Sequence, residues 1–477
     1  MSVTRSIFQN ISPLDHRYSV SEKAVFDSLS RWLSEDAAAA ACVKAELALC
    51  LAHLRLRGLL TGGLRAELQN GAGRVSADEI YAEEEKTRHH LRALVNVMKR
   101  KAPAQAAPFL HLGATSEDIL DTGLAYRMKN VTLEVLVPLL QKLENLLCDF
   151  AEREAATPQA GRTHGQHAVP VTLGFAFAEY VSRLGKSIAE IERRAGQLRG
   201  KLAGAVGAYN AMRLMVSDPE ALEKAYLAEL GLEPSEHSTQ LAEPEYLLRL
   251  LLEMNVAFGI IANLADDLRH LQRSEIGELR EGFGSEQVGS STMPQKRNPW
   301  NSEHVKSLWK AFAPRVLTFF MDQISEHQRD LTNSASRRFA ADYVAGFALA
   351  VSRMTDIVAS LGVDRDRLAA NLNAQAGGIP GGVMAEPAYI LLAESGESNA
   401  HELIRQVTLK AEKEGLSLVA ALQSSGDVWQ KIAARLVKLR LAADEREAAA
   451  FFEHPERYCG LAAQKARELA RKYRKAL

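Results

Sequence analysis

The chain is poor in cysteine, in aromatic side chains and in net charge. Its four cysteines, Cys42, Cys50, Cys148 and Cys459, form no CxxC pair and share no ligand spacing with histidine, which excludes a disulfide framework and a finger-type zinc site. Cys42 and Cys50 fall in an Ala- and Leu-rich stretch, where a free thiol behaves as a small apolar side chain. With 58 Lys and Arg against 59 Asp and Glu, the chain lacks the basic excess on which nucleic-acid and membrane-surface binding rest, and neither is an expected partner. A long uninterrupted apolar run is also missing. Residues 246–271, the most apolar stretch, carry Arg249, Glu253, Asn255, Asn263, Asp266 and Asp267, a pattern that does not span a bilayer. The opening MSVTRSIFQNISPLD has no continuous apolar core of the signal-peptide kind, so a soluble, cytoplasmic protein is expected. Hydrophobic residues at 47% exclude a disordered chain, and 477 residues can bury several cores.

Runs of alternating Val, Ile and Thr joined by hairpin turns are absent as well. Helical periodicity takes their place. Leu136, Leu139, Leu140, Leu143, Leu146, Leu147 and Phe150 recur three and four apart and mark one apolar face. Residues 173–198, 246–279, 304–324 and 341–361 behave alike, each roughly 20 to 35 residues or about 30 to 50 Å of helix. The pattern predicts an all-α protein built on a long-helix bundle. Leu250, Leu251, Leu252, Val256, Phe258, Ile260, Ile261 and Leu264 make one helix apolar nearly all round, which predicts association of chains through the bundle. Pro103, Pro108 and Gly113, then Gly377, Gly378, Pro380, Gly381 and Gly382, punctuate the chain. They suggest an N-terminal helical domain (1–112), a central long-helix domain (113–363) and a C-terminal helical domain (364–477). The basic tail from Lys465 to Lys475 alternates with Leu and Ala as a solvated helix face does.

Four polar, Gly-marked segments interrupt the helices. Residues 284–299, GSEQVGSSTMPQKRNP, set Gly284 and Gly289 and the hydroxyls of Ser290, Ser291 and Thr292 ahead of Lys296, Arg297 and Asn298. Such a segment is a flexible linker or a mobile anion-binding loop with a serine nucleophile or base. GRTHGQHAVP offers Thr163 and His164, an imidazole suited to acid–base work. His164 and His167 are three apart and fit one helical face, but no third ligand accompanies them, so no metal is expected. EEEKTRHHLRAL carries Arg88, His89 and His90; on a helix, neighbours diverge by about 100°, so at most one of these histidines faces a given site. In HLGATSEDILDTG, Thr115 or Ser116 caps a helix.

Together these segments resemble the fumarase/aspartase superfamily, and GSSTMPQKRNP is similar to its signature loop. SPLDHRYS, KTRHH, GATSEDILDTG, GRTHGQHA, GAVGAYN, STQ and QRDLTNSASRR are most similar to the adenylosuccinate lyase branch, in the same order along the chain. The resemblance implies a three-domain helical homotetramer around a central bundle, each active site built from three chains. It implies Ser290 as catalytic base, His164 as general acid, His89 as a second active-site histidine, and Glu303 as a carboxylate pairing with the acid. Thr115, Ser116, Lys296 and Asn298 would hold succinyl carboxylates. Arg17, Tyr18, Gln240, Arg329, Ser334 and Arg338 would contact a nucleotide, and Arg88, His90 and Thr163 are further candidate substrate contacts. The implied reaction is anti β-elimination of fumarate from a succinyl-amine, without metal or organic cofactor. His90, Gln295 and His167 depart from the adenylosuccinate lyase pattern, where Asp, His and Pro are usual. A lyase or cycloisomerase acting on another dicarboxylate, and a catalytically silent scaffold, are the alternatives.

Overall fold

Helix follows helix along the chain, and several start at a side-chain cap, such as Ser34, Thr61, Ser76 and Asp218. The computed structural model describes residues 6–284 and 286–475. In chain order the elements used below are α1 (Glu35–Leu56), α2 (Ala77–Thr87), α3 (His90–Lys101), α4 (Ser116–Val131), α5 (Val137–Arg153), β1 (Pro158–Thr163), β2 (Gln166–Thr172), α6 (Leu173–Gly196), α7 (Glu245–Leu271), α8 (Trp300–Phe312), α9 (Ala340–Ala359) and α10 (Ala462–Tyr473). The all-α expectation holds. Among the described residues, strands form only three two-stranded pairings, of which β1–β2 is the one of any length.

The chain divides into two compact units. The first comprises Met1–Lys142, Lys186–Ala262 and His304–Met354. Its α1 starts where Ser34 Oγ accepts the Ala37 N–H, with Glu35 and Asp36 in the first turn, where acidic groups favour the helix dipole. Ala45, Leu49, Leu94, Ile119, Leu202 and Tyr226 pack into one core with α1. Cys42 and Cys50 are buried there as free thiols, and burial pushes both thiol pKa values up to about 12, so they act as apolar filler. Between α4 and α5, residues Thr132–Leu136 widen into a π-helical turn. Thr132 Oγ1 donates to the Met128 carbonyl at 2.6 Å, and Pro138 has no N–H to give the ladder.

The second unit comprises Leu143–Gly185, Asn263–Glu303 and Thr355–Leu477. Met384, Leu392, Leu422, Ile432 and Phe452 form its helical core.

Two predicted helices end earlier than their periodicity suggests. The 246–279 stretch leaves the helix at Leu271, and Leu279–Arg280 instead pairs as a short strand with Gly362–Val363. The 304–324 stretch breaks at Ala313–Arg315, where Pro314 cannot donate to the ladder, and resumes as Val316–Met321. Two helical stretches, Lys23–Leu56 and Glu245–Leu271, have the length and hydropathy of a membrane span. Their apolar windows are 72% and 56% buried inside the fold, as in core helices.

Candidate active site

In the second unit, His164 sits on a β-hairpin. The expectation that His164 and His167 share a helical face is corrected: Thr163 pairs with Gln166 and Arg162 with His167 across antiparallel β1 and β2. Two residues make the turn, His164 at φ 54° and Gly165 at φ 74°. Two consecutive positive φ values are the signature of the tight turn whose twist matches a hairpin. It lifts Thr163 and His164 into solvent. Below the tip the hairpin is anchored. Glu278, fully buried, receives Gln159 Nε2 at 2.7 Å, Asn371 Nδ2 at 2.8 Å and both terminal nitrogens of Arg162. A rigid base thus carries an exposed imidazole.

The signature segment of the same unit is a folded loop and not an unstructured linker. Ser290 Oγ accepts the Met293 N–H at 3.1 Å and the Thr292 N–H at 3.4 Å. Asn298 Nδ2 donates to the Gly289 carbonyl at 3.0 Å and closes the loop, so this candidate carboxylate ligand also has a scaffold role. Gly289 is required by close approach: a Cβ there would stand 2.3 Å from the Lys296 carbonyl oxygen. The loop borders a polar cleft of about 530 Å³ into which Arg280, Arg297 and Gln295 face. Lys296 is exposed, and Glu303 stands exposed in the first turn of α8. Among the described residues no hydrogen bond or ion pair joins His164 to Ser290 or to Glu303 within the chain.

In the first unit, the N-terminus of α4 is a hub. Thr115 is its N-cap, and the Thr115 N–H donates to Asp118 Oδ2 at 2.8 Å, the capping box that the sequence suggests. Asp118 also binds the fully buried Lys201 ammonium and the Ala203 and Gly204 N–H groups. Lys201 Nζ reaches the Gln240 carbonyl at 3.0 Å, and the Gln240 N–H meets the Gln328 carbonyl at 3.2 Å. Glu117 pairs with Arg329 at 2.7 Å. Thr115, Gln240 and Arg329, distant in sequence, are therefore gathered at the first turn of α4 by two ion pairs, Asp118–Lys201 and Glu117–Arg329. Ser334 and Arg338 lie exposed on the segment after Arg329, outside those pairs.

The histidine pair is not on one helix. Arg88, at φ 52°, ends α2, and His89 caps α3, its Nδ1 accepting the Arg92 N–H at 3.3 Å. With Nδ1 accepting, the neutral tautomer of His89 carries its proton on Nε2, and the residue is exposed. His90 turns away and its Nδ1 lies 2.9 Å from Glu84. Near the start of the chain, Arg17 is exposed and the Tyr18 hydroxyl lies 3.1 Å from His304 Nε2. Burial, with the Arg353 and Arg17 charges, lowers the His304 pKa and keeps that ring neutral.

Residues 13–311 match a family described as "Lyase", and residues 325–443 match "Adenylosuccinate lyase C-terminal". The chain is a lyase of the fumarase/aspartase superfamily. It is most like adenylosuccinate lyase. The enzyme of that name from Pyrococcus abyssi is 30% identical over 88% of this chain and 91% of its own. That from Methanocaldococcus jannaschii is 30% identical over 95% and 94%. Among solved structures, the 3-carboxy-cis,cis-muconate lactonizing enzyme from Pseudomonas putida shares the fold, with TM-score 0.78, 24% identity and coverage of 94% and 97%. A fumarate lyase from Mesorhizobium sp. BNC1 shares it at TM-score 0.78 and 21% identity, covering 93% and 97%.

In this lyase the framework residues Lys201, Arg337, Glu278 and His304 escape the sequence reading, and Asp118 and Glu117 are legible there only as part of a helix start. Glu117 and Asp121 stand four apart in a helical segment, the spacing of one face, and that signal marks the acidic side of the hub. Lys201 and Glu278 carry no such signal, because their partners are remote in sequence.

Proposed function

We propose that the lyase cleaves a carbon–nitrogen bond by anti β-elimination and releases fumarate from a succinyl-amine. The substrate is adenylosuccinate, with its purine-pathway counterpart SAICAR as a second. The observation that carries this reading is the environment of Ser290. A free serine hydroxyl is a weak base precursor, and two backbone N–H groups converging on Oγ stabilise the alkoxide that abstraction requires. The alkoxide takes the proton from the carbon beside a succinyl carboxylate, leaving an aci-carboxylate carbanion. The carbon–nitrogen bond then breaks, and His164 gives its proton to the departing nitrogen. Lys296 and Asn298, with Thr115 and Ser116, hold the two carboxylates, and His89 directs its Nε2 proton toward the substrate. Between turnovers Ser290 gives its proton to solvent and His164 takes one up, so the scheme closes on proton transfers alone and calls on neither metal nor organic cofactor.

Association into a homotetramer with sites shared between subunits belongs to the same proposal. Leu252 and Val256, one turn apart on α7, are 37% and 53% exposed, an apolar strip that a second chain would cover. A second substrate reading, an elimination or cycloisomerisation of another dicarboxylate, is favoured by His90, which Glu84 engages where an adenylosuccinate lyase has Asp.

The test is absorbance of the purified protein with adenylosuccinate, argininosuccinate and carboxymuconate. Fumarate release from adenylosuccinate, lost in Ser290→Ala, is expected. Turnover of another substrate in its place overturns the substrate assignment, and no turnover of any by folded tetramer overturns the elimination.

A further inference from the structure

Arg329, a candidate nucleotide contact whose guanidinium suits a phosphate, is already paired within the chain. Its Nη1 lies 2.7 Å from Glu117 Oε1, and the two side chains are only 13% and 10% exposed. The other Glu117 oxygen faces Arg337 Nη1 at 3.4 Å, and Arg337 Nη2 is bound to Asp121 one turn along α4. Asp121 in turn accepts the Ala242 N–H at 2.8 Å. With Asp322 also acting on Arg337, three carboxylates face two guanidinium groups, so the cluster around Arg329 has no surplus positive charge for a dianion. Burial works against the Arg337 cation, but Asp121 and Glu117 outweigh it and hold its pKa high.

We infer that Glu117 sets the affinity of this subsite for phosphate: a phosphate-bearing ligand must displace the Glu117 carboxylate from Arg329, and Arg337 keeps Glu117 paired once Arg329 has left. The inference rests on the proposed nucleotide substrate and adds a specificity residue to it. A carboxylate released beside a phosphate in a poorly solvated site would carry a large penalty if unpaired. The second guanidinium removes that penalty. The exchange therefore depends on both Glu117 and Arg337, in opposite directions.

Calorimetric binding of AMP and of adenosine to the full-length protein tests this, alongside the KM and kcat of fumarate release. Glu117→Gln is expected to bind AMP about tenfold tighter, the scale of one ion pair no longer to be broken, and to lower KM more than it changes kcat. Adenosine binding is expected to stay unchanged. Arg337→Gln is expected to weaken AMP by a similar factor. Glu117→Asp, which draws the carboxylate back from Arg329 by one methylene, is expected to act in the same direction as Glu117→Gln and serves if the latter melts early. AMP bound no tighter by a folded Glu117 variant, or adenosine tightened equally, overturns the inference while wild-type turnover of adenylosuccinate leaves the enzyme assignment standing. If AMP binds only to the Glu117 variants, the exchange stands and the substrate assignment falls. AMP bound by neither protein overturns both.

Discussion

Lys201 and Asp118 form an ion pair in which neither side chain is exposed. Asp118 sits in the first turn of α4, and Lys201 directly follows the short strand Arg199–Gly200 after α6. Each is further satisfied: Asp118 by the Thr115, Ala203 and Gly204 N–H groups, Lys201 by the Gly204 and Gln240 carbonyls. A buried pair adds little over an apolar pair of equal size, yet removing one partner strands a charge. Asp118→Asn is therefore expected to destabilise the protein by about 3 to 5 kcal/mol in urea unfolding. Lys201→Met in that background is expected to recover part of the loss. A single variant as stable as the parent would mean that the pair is not buried in solution.

A second buried acid has no counter-charge among the described residues. Glu144 on α5 is 3% exposed, and neither carboxylate oxygen has a hydrogen bond among the described residues. Burial pushes its pKa up to about 9, so the folded protein keeps it protonated at pH 7. The folded state thus holds a proton that the unfolded state releases near its ordinary value of 4.5. Stability must then fall as pH rises from about 4.5 towards 9, by up to about 1.4 kcal/mol per pH unit. Melting temperature measured from pH 4.5 to 8.5 checks this. Glu144→Gln should match the parent at the acid end and exceed it increasingly above, by as much as about 3 kcal/mol at pH 7. Parallel curves would show the carboxyl to be solvated.

These two acids also show how far sequence carries. Three- and four-residue apolar spacing announces long helices, because burial of one face imposes it, and Thr115 with Asp118 announces a helix start through purely local bonds. Glu278 and Lys201 are silent. Their roles come from partners more than 80 positions away, such as Gln159 and Asp118, and no local pattern encodes such a meeting. The hairpin at His164 lies between. The preceding arginine pairs with His167 because His164 and Gly165 adopt positive φ, and a His-Gly turn is less distinctive than Asn-Gly, so spacing alone suggests a helix.

That turn permits a clean separation of chemistry from folding. Asparagine enters the left-handed region more readily than most side chains, and Asn-Gly is the favoured pair for this hairpin. His164→Asn is therefore expected to leave unfolding free energy within about 0.5 kcal/mol of the parent. If His164 protonates the departing nitrogen, fumarate release in the same variant should fall by about 10² to 10⁴. A variant with near-parental turnover would remove His164 from the acid's role, whatever its stability.

Gly289 tests the loop in the converse way, through backbone and not through a reacting group. A methyl group there meets the Lys296 carbonyl oxygen at 2.3 Å and the Phe283 ring at 3.2 Å. The carbonyl belongs to the backbone and cannot rotate aside, so Gly289→Ala must spread the loop and break the Asn298 bond to the Gly289 carbonyl. Because Ser291, Met293 and Lys296 are exposed, spreading should change global stability by no more than about 1 kcal/mol. Activity should suffer more, since the Thr292 and Met293 N–H groups reach Ser290 only in the closed turn. A fall in kcat of about 10- to 100-fold is expected, on the scale of losing one preorganised donor or less. Asn298→Ala removes the clasp without the clash. If Asn298 only closes the loop, its loss in kcat should be smaller than that of Gly289→Ala; if it holds a substrate carboxylate, KM should rise as well. Unchanged kcat in Gly289→Ala would mean that the turn around Ser290 contributes nothing to its reactivity.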